Sequence, residues 1–214
     1  MTRVKIDQER LAHGLERGIG RVEDAVVEYF LIPRKYRLRV PVCGLVSIAI
    51  QDNLAHKGVE STLQLSWPEF PFDSEYKHVV PVTSEAGNQQ TIDAAYSHLF
   101  EYVGLDHDYE QATGTRYFPD KKVLCFRLSE RDTVAGWIAG VAQEFQKSNL
   151  KPVLDDGYQL GNGPLADSPV QEVAETLSRV WDPANFSVWE PSEGTLAAGI
   201  KVGSYIDSKA IEIN

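Results

Sequence analysis

Following Cys43 runs GLVSIAIQDNLAHK (residues 44–57), apolar nearly all round in its first turns. A helix that lacks a polar face is buried on every side. Gly58 supplies a natural stop for it. A fold for this chain has to wrap its other elements around that helix, and 214 residues suffice for one sizeable core with an added subdomain.

The flanking segments supply partners of both kinds. Leu11, Leu15, Ile19, Val22, Val26 and Tyr29 fall at three- and four-residue spacings, which predicts an amphipathic helix over 7–31 with Asp7 as its N-cap. Gly14, Gly18 and Gly20 predict a break near 18–20, and Pro33 an end. Residues 36–42 (YRLRVPV) read as an extended lead-in. STLQLSW (61–67) alternates like a strand. HVVPV (78–82) and TID (91–93), joined by the turn chemistry of SEAGNQQ, read as a hairpin followed by a helix that Asp93 can cap. Lys122–Leu128 reads as a strand. Ser129, with Asp132 in the capping-box position, opens a helix over 130–148 that carries Val134, Trp137, Ile138, Val141 and Phe145 on one face. A glycine-rich loop (157–169), a helix (170–181) and a turn-rich end with short strands complete the chain. The prediction is an α+β fold in a single compact domain over 1–214. Its core spans about 1–128, with a C-terminal α/β extension over about 129–214.

The formal net charge of −10 opposes non-specific attraction to nucleic acid or to anionic membranes. The local basic run Arg34, Lys35, Arg37 and Arg39 reads either as a solvated edge or as a clamp for an anionic substrate. No stretch approaches the roughly 20 apolar residues of a membrane helix. The charged N-terminus lacks the apolar core of a secretory signal, so a cytoplasmic location is expected. The two cysteines, Cys43 and Cys125, are then both reduced thiols, and their spacing fits no zinc pattern. HExxH, GxxxxGK[ST], GxSxG and a strand-borne GxGxxG are all lacking, and no cofactor or metal is expected. The glycines at 157, 161 and 163 read as a loop, with a substrate lid as the alternative.

Chemistry concentrates at Cys43, directly ahead of the buried helix. The orphan N–H groups and partial positive charge of a helix N-terminus favour a thiolate and can hold an oxyanion. Cys125, inside KKVLCFRL, has no comparable setting and reads as inert core. A thiolate nucleophile needs a base, usually histidine. His56 lies thirteen residues down the same helix, roughly 20 Å away at 1.5 Å per residue, too far to touch Cys43. His13 and His98 read as surface residues on helices and His107 as a loop residue, although Asp106 and Asp108 beside it make a cation site conceivable. His78 opens an apolar strand, and Asp93, at the end of the return strand of the same hairpin, can fix its tautomer.

Cys43 at the start of the helix, Gly58-Val59 beyond it, His78 opening one strand and Ile92-Asp93 closing the next together resemble the transglutaminase-like (papain-like cysteine enzyme) superfamily over about residues 36–105. The resemblance implies a buried helix, carrying the cysteine, packed on an antiparallel sheet. It also implies Cys43 as nucleophile, His78 as general base and acid, and Asp93 as orienting residue. Tyr36 and Gln51 are the candidate side-chain donors to an oxyanion or substrate. The expected activity is acyl transfer or hydrolysis on a peptide, amide or thioester substrate, resolved by water or by an amine. Two other functions compete. One is a non-catalytic binding or scaffold protein that retains the fold and presents its acidic surface or the Trp137–Phe145 helix. The other is a metal-dependent hydrolase using Asp106, His107 and Asp108.

Overall fold

The structure, a computed structural model, describes residues 4–30, 42–66, 78–84, 88–96, 123–147 and 169–214, with side chains left out at 23–30, 42 and 141–147. The chain is α+β. Its elements in order are β1 (Val4–Ile6), α1 (Gln8–Phe30), α2 (Val42–His56), β2 (Ser61–Ser66), β3 (His78–Thr83), β4 (Gln90–Asp93) and β5 (Leu124–Arg127). There follow α3 (Arg131–Lys147), α4 (Val170–Ser178), β6 (Phe186–Val188), α5 (Glu193–Gly203) and β7 (Ile211–Ile213). Among the described residues no helix is long and apolar enough to cross a membrane.

Strands β5-β4-β3-β2-β6 form one five-stranded sheet whose described neighbours are all antiparallel. Its two faces bury different clusters, as the two-residue period of a strand requires. On one face Leu63, Val79 and Ile92 pack with Val46, Ile48 and Ile50 of α2, so the apolar helix is enclosed as its composition demands. On the other face Val80, Val82, Leu124 and Phe126 pack with Ile138 of α3, Leu177 of α4 and Trp181.

Helix α1 runs unbroken through Gly18 and Gly20, against the expectation of a break. The reason is tertiary. A Cβ at Gly14 would stand 2.8 Å from the Cα of Ile206, and one at Gly18 2.7 Å from the carbonyl oxygen of Val202. These glycines let α1 lie backbone-close on the end of α5 and the turn after it. Asp7 caps α1 as expected, its Oδ1 accepting from Arg10 N at 3.1 Å.

One further expectation is corrected. Ser129 does not cap α3: a 3-10 turn, Leu128–Glu130, precedes that helix, and Glu130 Oε2 accepts from Arg127 N at 3.0 Å. Residues 169–214 contribute to the same sheet and to both core clusters. Strand β6 extends the sheet along β2 (Gln64↔Val188, Ser66↔Phe186), α5 packs on α2, and β7 pairs with β1. The expected helix after Asp93, the basic run at 34–39 and the glycine-rich loop up to residue 168 lie outside the described residues.

Candidate active site

The site lies where the first turn of α2 meets the beginning of β3. Cys43, the second residue of α2, is 3% exposed. One turn further along, Ser47 donates its hydroxyl to the carbonyl oxygen of Val79 at 2.7 Å. That bond pins the helix start beside His78, the neighbour of Val79. Gly44 admits a second support. The indole of Trp189, carried just after β6, lies so close that a Cβ at Gly44 would be 2.9 Å from it.

His78 and Asp93 meet through sheet register. Val82 pairs with Thr91 across the hairpin. Continuing that register sets Asp93 opposite Val80 and diagonal to His78, on the same face of the sheet, within reach of side chains of this length. His78 Nε2 donates to Asp93 Oδ2 at 2.7 Å, and both side chains are buried. The imidazole also shares a hydrogen bond with the Cys43 thiol. With Nε2 turned to Asp93, Nδ1 is the ring atom left for the sulfur.

The electrostatics follow from that chain. Burial by itself pushes the imidazole pKa down. The charge of Asp93, the hydrogen bond to it and the Cys43 sulfur outweigh burial and raise the pKa from 6.5 to about 10. Tyr96, also buried, has its phenol pushed above the ordinary range, first by burial and then by the Asp93 charge.

Asp93, 1% exposed, accepts from two further donors. Ala95 N donates to Oδ1 at 3.0 Å, and the indole Nε1–H of Trp181 donates to Oδ2 at 2.9 Å. Trp181 comes from a 3-10 turn after α4 and is fully buried, edge-to-face against Phe126 at 5.2 Å and 83°. Ser66 faces His78 directly across the β2–β3 ladder; it too is fully buried, and among the described residues its hydroxyl has no hydrogen-bond partner. Ser47, Ser66 and Trp181 were not singled out from the sequence. Their roles depend on pairings 12 to 88 residues apart, and no local pattern encodes such contacts.

The structure thus brings Cys43, His78 and Asp93 together. It does not bring Gln51 to them. Gln51 lies eight residues along α2 from Cys43, roughly 12 Å at 1.5 Å per residue. Its side-chain N–H is taken by the carbonyl of Ser61 at 2.9 Å, so the expected oxyanion role does not fit. Tyr36, His98 and the Asp106, His107, Asp108 group lie outside the described residues. His13 is exposed, and His56 is turned back onto the carbonyl of Asp52 at 2.8 Å. Cys125 is half-buried in β5, its sulfur 3.9 Å from the carbonyl of Val4. Among the described residues no three His, Cys, Asp or Glu side chains converge as a metal site would need.

Comparison with protein-family models, with curated proteins and with solved structures gave no match.

Proposed function

We propose that this chain is a cysteine-dependent acyl-transfer enzyme of transglutaminase-like type, acting on an amide or thioester through Cys43, His78 and Asp93. The observation that carries the reading is the buried imidazole of His78, hydrogen-bonded to the Cys43 thiol on one side and to the Asp93 carboxylate on the other. A histidine that only filled core would need neither partner at the start of a helix.

The chemistry runs in two halves. The sulfur attacks the substrate carbonyl carbon with its proton already carried on His78 Nδ1, where the raised imidazole pKa keeps it. The oxyanion that forms is opposite the first amides of α2, Cys43 and Gly44 among them, which have no intrahelical acceptor. As the C–N or C–S bond breaks, His78 returns that proton to the leaving amine or thiol, and the acyl group remains on sulfur. Water or an amine then attacks the thioester carbonyl, giving its proton to His78. The C–Sγ bond breaks, the acid or new amide leaves, and the proton stays on His78 Nδ1 beside the freed sulfur, as at the start. Asp93 holds Nε2 throughout and so fixes which ring nitrogen does the work.

The test uses a small alkylating agent. Cys43 is more deeply buried than Cys125, so exposure alone favours labelling of Cys125. Iodoacetamide near neutral pH is expected to modify Cys43 faster, and His78→Ala is expected to abolish that advantage. Equal or slower labelling of Cys43 would overturn the reading. A binding protein that merely keeps the fold would instead retain its cellular activity as Cys43→Ala.

A further inference from the structure

On the reading of Cys43, His78 and Asp93 given above, we infer that Trp181 is a positioning residue of the site. It holds the Asp93 carboxylate in place on Nε2 through the part of the cycle in which His78 carries no charge.

The argument starts from burial. A carboxylate that is 1% exposed is tolerated only when its charge is compensated. While His78 is protonated, the imidazolium provides that compensation at 2.7 Å. Catalysis requires His78 to surrender the proton on Nδ1 to the leaving group. The ring is then neutral, and Asp93 has lost its ionic partner without gaining access to water. Unsupported, the carboxylate would turn away from Nε2. The neutral ring would then be free to carry its single proton on either nitrogen, and Nδ1 would no longer be kept open for the next step.

The indole changes that outcome. Its N–H cannot be transferred at any pH a protein survives, so it remains a donor whatever His78 does. It is directed at Oδ2, the same oxygen that His78 holds, at 2.9 Å, while the Ala95 amide serves Oδ1 at 3.0 Å. Two donors that never titrate therefore remain on the carboxylate in both charge states of the imidazole. Packing explains the ring of Trp181, which stands edge-to-face on Phe126. Packing does not require its single polar atom to meet a buried carboxylate. Phenylalanine would fill much of the same space without that bond.

Trp181→Phe keeps the aromatic contact and removes the donor. Cys43 alkylation is followed against pH in the whole chain, unaltered and substituted. In the variant the acid limb of the profile is expected to move to higher pH by roughly one unit, a tenfold change, because a carboxylate that has lost this donor holds the imidazole beside the sulfur less firmly. A folded variant whose limb stays in place overturns the inference. Should the variant fail to fold, the unaltered protein answers instead. The 15N–1H resonance of the Trp181 indole is expected to shift through that same limb and again on alkylation of Cys43. An indole signal that follows neither overturns the inference. Failure of the underlying reading looks different: His78→Ala would then leave the Cys43 profile of the otherwise unaltered protein unchanged.

Discussion

Because His78 is buried between a thiol and a carboxylate, its protonation is tied to folding. Its pKa in the folded chain, about 10, lies above the 6.5 of an ordinary histidine. The stabilisation it brings is complete below pH 6.5 and is lost as pH rises through the folded value. The unfolding free energy from urea titration is therefore expected to fall between those limits by an amount on the order of a few kcal/mol, and the midpoint with it. Asp93→Asn removes the charge that lifts the imidazole, so its curve is expected to be lower throughout and flatter over the same range. A midpoint in the unaltered protein that does not change with pH would contradict the buried ion pair. At this scale Cys43, His78 and Asp93 were legible because each is marked locally, by a helix start, a strand start and a strand end. Trp181 was not. Its contact with Asp93 spans 88 residues, and an isolated tryptophan after a helix reads as core.

At the scale of elements, the apolar run of α2 and the β3–β4 hairpin could be read because periodicity and turn chemistry act over a few residues. The glycines of α1 were misread for a physical reason. Helix propensity counts a glycine as a weakness, whereas here the missing Cβ is what brings two backbones together. Gly18→Ala tests this. Helix propensity alone would make the change stabilising by up to ~1 kcal/mol. The Cβ would instead press on the Val202 carbonyl at 2.7 Å, so a loss of about 1–3 kcal/mol is expected from overpacking. Thermal or chemical denaturation decides the sign. The error at Ser129 has a similar origin, since a short 3-10 turn and an α-helical first turn share their capping residues.

For the whole molecule, the pairings that could not be read are those between distant parts of the chain: β1 with β7, β2 with β6, and α5 with α2. They place the C-terminal third around the site instead of beside it. A chain ending at residue 168 would lose Trp181, Trp189, β6 and α5 together. It is expected to lack a cooperative unfolding transition, and its two cysteines are expected to alkylate alike. Circular dichroism and mass-resolved labelling would show both.

That arrangement gives the nascent chain an order of events. Cys43 leaves the ribosome before the partners that organise it. The indole that completes the Asp93 contact emerges 138 residues after Cys43. Synthesis at about 5–20 residues per second separates the two by several seconds at least. On the proposed reading, the reactivity of Cys43 is therefore switched on by completion of the fold.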